Sequence, residues 1–240
     1  MALLVVDQLT KRFGGLVANK DISLSVAAGE IVAVIGPNGA GKSTLFNGLV
    51  GAHQPTSGSV TFDGKPLSGL APEQVAARGL VRSYQIPRNF GDMTVRENAM
   101  VGALLRHPRL HDARHEAERV LHLVGLQDRA DVRARELNVA GQKRVELARA
   151  LATEPKMLLL DEVAGGLNPS EAIALADILR DIHAAGVTLI IVEHVLEVVM
   201  RLAQRVLVLN FGQTIAEGPP QEIVRHPAVI EAYLGRKHRV

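Results

Sequence analysis

Two hydrophobic rhythms run along the chain. Near the N-terminus, polar residues separate Ile22, Leu24 and Val26, and Val60-Thr61-Phe62 runs into Asp63-Gly64, the pattern of half-buried strands closed by turns. Ala2 to Val6 is a short apolar run cut off by Asp7; without a basic leader it reads as a strand and not as a signal peptide. These segments predict antiparallel pairing. Ile31 to Ile35, Met157 to Leu160 and Leu189 to Val192 are instead apolar without interruption, as expected of parallel strands buried on both faces. Between them a helical period takes over. Lys42 to Val50 places Leu45, Phe46, Leu49 and Val50 on one side, and Glu171 to Ala184 does the same with Ile173, Ala176, Leu179 and Ile182. The alternation predicts an α/β core.

From Pro87 to Leu151 no convincing strand pattern occurs, whereas Val95 to Leu105, Ala113 to Val124 and Gln142 to Ala152 read as helices. A helical subdomain over 87–151 is therefore expected, inserted into a core made of 1–86 and 152–240. Beyond it, Arg205 to Leu209 and Gln213 to Glu217 predict a strand pair around Gly212, and Pro220 to Leu234 predicts terminal helices. No apolar stretch approaches the roughly 20 residues that span a bilayer.

Composition bears on this picture in four ways. An apolar share of 47% over 240 residues allows a substantial core. With 3% aromatic residues and no Trp there is little material for stacking on bases, so nucleic acid is not an expected partner. The absence of Cys excludes disulfides and thiol chemistry. The formal charge is only +2, and its one cluster, Arg236-Lys237-His238-Arg239, reads as a solvated end.

The strand Ile31 to Ile35 leads into Gly36-Pro37-Asn38-Gly39-Ala40-Gly41-Lys42-Ser43-Thr44 and then into a helix, the G-x-x-x-x-G-K-[ST] pattern in its strand-loop-helix setting. Glycines let several N–H groups turn toward one point, the helix N-terminus adds its positive end, and Lys42 supplies a charge for the β- and γ-phosphates. Ser43 is placed to ligate Mg²⁺. A second strand, Met157 to Leu160, ends in Asp161-Glu162, at the edge where α/β sheets bind ligands. Asp161 suits the metal, directly or through water; Glu162 suits orienting or deprotonating an attacking water. His111 and His115 have metal-like spacing beside Asp112 and Glu116, but a solvated helix face is the expected reading.

In this order the motifs resemble the ABC ATPase family over nearly the whole chain. The resemblance implies a P-loop NTPase (RecA-like) core with an antiparallel β subdomain and an inserted helical subdomain. It implies that Phe13 stacks on adenine, where the residues alone would make it a core Phe. It makes Gln85, after the apparent strand Leu80 to Tyr84, the glutamine that contacts Mg²⁺ and water. It makes His194, after Leu189 to Val192 and Glu193, the histidine that touches the γ-phosphate, and Gly166-Leu167-Asn168-Pro169 a loop that crosses the dimer interface. Phe13-Gly14-Gly15-Leu16-Val17-Ala18, Leu45-Phe46-Asn47 after the phosphate loop, Gly91-Asp92-Met93-Thr94-Val95-Arg96-Glu97-Asn98, Ala164-Gly165-Gly166-Leu167-Asn168-Pro169 and Val229-Ile230-Glu231-Ala232-Tyr233-Leu234-Gly235 look like the LivG-type group, the ATP-binding subunits of branched-chain amino-acid importers.

The segment that serves the partner's ATP in the family is altered. Counting back from Lys143 to Leu151 without a gap puts Leu137-Asn138-Val139-Ala140-Gly141 on the L-S-G-G-Q signature. Asn138 can offer an amide donor and cap the helix, and the Ala140 N–H survives the loss of glycine; Val139 and Ala140 are expected to resist positive φ. Val163 also stands where the family usually has Pro. The resemblance implies ATP and Mg²⁺ as ligands and transmembrane permease subunits as partners. It further implies a second ABC ATPase subunit, identical or related, and indirectly a solute-binding protein, with the chain peripheral on the cytoplasmic face of the plasma membrane. Two alternatives stay open: an assembly subunit with weak ATPase, and a soluble ABC ATPase of DNA repair or translation. The latter generally carries long coiled coils or two cassettes, neither of which occurs here.

Overall fold

A computed structural model describes residues 2–83 and 88–234. In chain order the elements are β1 (Ala2–Phe13), β2 (Leu16–Ala27), β3 (Ile31–Ile35), α1 (Lys42–Leu49), β4 (Ser57–Phe62), β5 (Lys65–Pro66), α2 (Pro72–Ala77) and β6 (Leu80–Arg82). There follow α3 (Val95–Ala103), α4 (Leu110–Leu123), α5 (Val139–Leu151), β7 (Met157–Asp161), α6 (Pro169–Ala184), β8 (Thr188–Val192), α7 (Leu196–Leu202), β9 (Arg205–Asn210), β10 (Gln213–Gly218), α8 (Pro220–Ile223) and α9 (Pro227–Leu234). The chain forms two compact units, Met1–Val75 with Thr188–Val240, and Ala76–Val187. No helix among the described residues is long and apolar enough to cross a membrane.

The first unit holds an antiparallel sheet in the order β2-β1-β4-β5. Leu4, Val6, Leu9, Ile22, Leu24, Val26, Val60 and Phe62 all face inward, which is what their alternation requires. The β1–β2 hairpin runs beyond the alternating stretch, to Lys11↔Asn19 and Phe13↔Leu16, through register shifts after Val6 and Leu9. Gln8 sits at one of them with φ 46°. Each shift changes the side-chain phase, so the far end of the hairpin is invisible to a period-two reading. In the same unit β3 lies between β8 and β9, parallel to both, and all five of its residues are buried. That placement explains its unbroken apolar run. β9 returns through the Phe211-Gly212 turn to pair antiparallel with β10.

In the second unit β6 and β7 are parallel, with Arg82 in register with Leu159. Helices α3, α4 and α5 pack on one another through small and β-branched side chains, among them Ala99, Ala103, Ala113, Ala117, Val145 and Ala148. Among the described residues of 88–151 there is no strand, only the single bridge Thr94↔Arg133. The starts of α3, α5 and α6 follow side-chain caps. Thr94 with Glu97 and Asn168 with Glu171 form capping boxes, the second preceding Pro169 in the first turn. Helix α5 begins before Gln142, where periodicity alone would start it, because Asn138 Oδ1 accepts the Gly141 N–H at 2.9 Å.

Candidate functional site

The loop after β3 is built so that backbone, not side chain, faces its interior. Gly36 has φ 152° and Gly41 φ 100°. A Cβ on Gly36 would stand 2.1 Å from the Leu209 carbonyl oxygen, and one on Gly41 2.5 Å from both the Ala18 carbonyl oxygen and Asn19 Nδ2. Both positions therefore exclude any side chain on steric grounds as well as by torsion. Pro37 is half-buried, Asn38 and Gly39 are exposed at the loop's tip, and Ala40 is buried. The N–H groups of Ser43 and Thr44, in the first turn of α1, have no partner among the described residues. Such donors, with the helix dipole behind them, suit an anion.

Lys42 is 92% buried, and its Nζ donates to the carbonyl oxygens of Gly36 at 2.6 Å and Pro37 at 3.0 Å. Its ammonium thus lies folded onto the loop that it would serve. Two residues outside the motif fix that loop. Asn19, on β2 and fully buried, donates from Nδ2 to the Gly41 carbonyl at 3.1 Å. The Gly212 N–H donates to the Ala40 carbonyl at 3.0 Å, while the Gly212 carbonyl accepts from Lys20 N–H at 2.8 Å. Sequence reasoning missed Asn19: an inward polar residue on a bulged strand gives a signal only once its neighbour across the fold is known.

His194 follows β8, whose Val192 is in register with Val34 of β3, so in this unit it leaves the sheet at the edge where the phosphate loop begins. It is exposed and borders an apolar cavity of about 350 Å³ that Ile35, Leu196, Val199, Ile230 and Tyr233 also line. Burial pushes the Tyr233 phenol up, against a backbone hydrogen bond from Gly36 that lowers it. Phe13 is 44% exposed at the end of β1, so it is not a core residue. Its ring meets His53 edge-on at 5.3 Å, and Lys11 Nζ lies 5.0 Å from its centroid. A half-open ring with a cation nearby suits stacking on a base.

In the second unit Asp161 ends β7 with 4% exposure. Its Oδ2 accepts from Arg82 Nη2 at 2.6 Å, and its N–H donates to Ser83 Oγ at 3.4 Å. Glu162 follows with φ 49°, a left-handed conformation that is costly for this residue type. The Gly165 N–H, at 3.0 Å, and Lys143 Nζ, at 3.4 Å, both donate to its carbonyl oxygen. Lys143 belongs to α5, so the helix capped by Asn138 also holds the turn that carries Glu162.

Asn138 is exposed and its Oδ1 is spent on the cap, which leaves Nδ2 as the available donor. The N–H groups of Val139 and Ala140 have no partner among the described residues. None of residues 137–141 has positive φ. Val139 and Ala140 lie inside the first turn of α5, where negative φ is the rule, so the positive φ that they are expected to resist is not asked of them. Gln85 lies outside the described residues.

His111 and His115 both lie on the exposed face of α4, as expected. The ligand-like cluster nearby is instead His107, Glu116 and Glu154. There Glu116 accepts from Arg119 at 2.8 and 2.6 Å, one bond to each carboxylate oxygen, which makes an ion-pair network of it.

A family model described as ABC transporter matches residues 19–165, and one described as branched-chain amino acid ATP-binding cassette transporter matches residues 213–239. The high-affinity branched-chain amino acid transport ATP-binding protein LivG of Salmonella typhimurium is 41% identical, the match covering 97% of this chain and 98% of the relative. A probable LivG of Methanocaldococcus jannaschii is 32% identical, with 98% of each covered. Among solved structures, a nucleotide-free ATP-binding cassette from an ABC transporter superposes with a TM-score of 0.89 at 31% identity, covering 98% of this chain and 100% of the other. An ATP-binding cassette of an ABC transporter in its ADP conformation gives 0.89 at 32% identity, covering 98% and 99%.

Proposed function

Because this chain belongs to the ABC transporter family and is one of its ATP-hydrolysing cassettes, we propose that it powers a membrane importer of branched-chain amino acids or related small solutes. The carrying observation is the loop Gly36–Thr44, whose Gly36 and Gly41 admit no side chain and whose lysine is held at the loop's own carbonyls. The solute class is supported by the named relatives and by the match over residues 213–239.

In this reading the phosphates of ATP take the N–H donors of the loop and of Ser43 and Thr44, and Lys42 moves from the carbonyls of Gly36 and Pro37 to the β- and γ-phosphates. Phe13 stacks on adenine. Ser43, Asp161 and Gln85 supply hydroxyl, carboxylate and amide oxygens, the hard donors that Mg²⁺ selects. Asp161 fits that task on a structural ground: its buried carboxylate already draws a cation to 2.6 Å. When bound, Mg²⁺ neutralises charge on the phosphate oxygens. Glu162 accepts the proton of the attacking water, and His194 donates to the γ-phosphate.

In a pair with a second cassette, identical or related, this chain presents its signature residues Asn138 and Ala140 to the partner's nucleotide and receives the partner's signature segment at its own. Its clasp works through Asn138 Nδ2 and the N–H groups of Val139 and Ala140. Single-turnover cleavage at the nucleotide served by Asn138 is expected to match that at the other site, and intact ATP there would overturn a working clasp. Asn138→Ala should also lower stability by about 1 kcal/mol through loss of the cap.

Residues 87–151 form the helical subdomain that meets the permease, at the cytoplasmic face of the membrane. Support comes from Phe90, Val101, Leu104 and Leu105, which expose apolar surface there. Purification from native membranes tests the importer reading. A permease, a second cassette and a solute-binding protein are expected to come with the chain; a chain active as an ATPase but recovered without a permease would count against it.

A further inference from the structure

We propose that Arg82 is a built-in counter-cation for Asp161 and holds down the metal affinity of that carboxylate. The proposal rests on the reading of Asp161 as the metal's residue. It starts from the strand register. Arg82 ends β6 beside Leu159 of β7, so its side chain reaches along β7 to the carboxylate two residues past the pairing. The Nη2–Oδ2 distance is 2.6 Å, and the two side chains are 9% and 6% exposed.

A guanidinium stays charged at any pH the protein meets, so it cannot step aside by losing a proton. Burying a carboxylate is costly without a compensating cation, and Arg82 provides one before any metal arrives. The same charge then stands next to an incoming divalent ion. In surroundings this dry, repulsion between the two cations is screened far less than it is in water. Arg82 engages Oδ2, which makes Oδ1 the oxygen offered to the metal or to its water. The chain therefore holds a preformed, cation-paired metal residue at rest, at the expense of tight metal binding.

The test is titration of Mn²⁺ into ADP-loaded protein at fixed pH, with free Mn²⁺ read by electron paramagnetic resonance. Arg82→Gln and Arg82→Met both remove the charge, one keeping a hydrogen-bonding group for Oδ2 and the other filling the space. Each is expected to bind Mn²⁺ about tenfold more tightly, equivalent to about 1.4 kcal/mol, and to unfold at a lower temperature than the parent when free of nucleotide. Arg82→Lys, which keeps the charge, should stay within about twofold of the parent. It keeps the proposal open to refutation if the neutral variants do not fold, since a tenfold gain there would overturn it. Unchanged or weaker Mn²⁺ binding in a folded neutral variant would also overturn it. Asp161→Asn separates the two levels. If that variant loses Mn²⁺ affinity while the neutral Arg82 variants bind like the parent, only the role of Arg82 falls; if it binds Mn²⁺ like the parent, the assignment of Asp161 falls with it.

Discussion

Glu162→Gln is expected to bind ATP with the parent's affinity and to hydrolyse it at least about a hundredfold more slowly, the range over which a general base acts. The substitution keeps the shape and removes only the proton acceptor. The side chain projects from a residue held at φ 49°, so its direction is fixed by the backbone. Gly165 and Lys143 donate to its carbonyl oxygen, bonds that the substitution leaves in place, so the turn should survive the change. Phosphate release measured beside binding of a fluorescent nucleotide separates the two effects. Steady-state turnover near the parent's would refute the role of Glu162, and a parallel loss of binding would show that the turn itself had moved.

Lys42→Ala should act one step earlier. Here nucleotide affinity itself is expected to fall, by roughly ten- to a hundredfold, with hydrolysis near background, because the ammonium forms charge-assisted bonds to phosphate oxygens. Its present bonds to the Gly36 and Pro37 carbonyls add a structural part to the loss. Lys42→Arg keeps the charge but replaces a compact ammonium by a planar fork that does not fit between two carbonyls of one loop. It should recover little. Equilibrium titration with ADP and with a non-hydrolysable ATP analogue checks both variants, and an Ala variant that binds the analogue like the parent would remove Lys42 from the phosphate site.

How much of this is legible in the sequence depends on the range of the interaction. β3, β7 and β8 are plain because strands buried on both faces carry unbroken apolar runs, and the loop from Gly36 to Thr44 is plain because its geometry demands glycine and lysine at fixed spacing. Elements shaped by contacts remote in sequence are not. The far half of the β1–β2 hairpin is hidden by bulges that change the side-chain phase. Asn19 and Arg82 look like ordinary polar punctuation until the fold brings Gly41 to one and Asp161 to the other. Val139 and Ala140 need no unusual torsional freedom, because the cap at Asn138 starts the helix before them, and a motif alone does not reveal that start.

The position of β3 between β8 and β9 also constrains synthesis. Its neighbours on both sides are made late. Glu30 and Arg205, Gly29 and Thr188, and Ile31 and Gln204 close the same gap with hydrogen bonds. Gly212, which braces Ala40, comes later still. A chain emerging from the ribosome therefore carries the finished phosphate-loop sequence through most of its elongation without the frame that shapes it. Nucleotide cannot chaperone the early stages of folding, and a chain stalled before the β9–β10 turn presents apolar strands without a competent site.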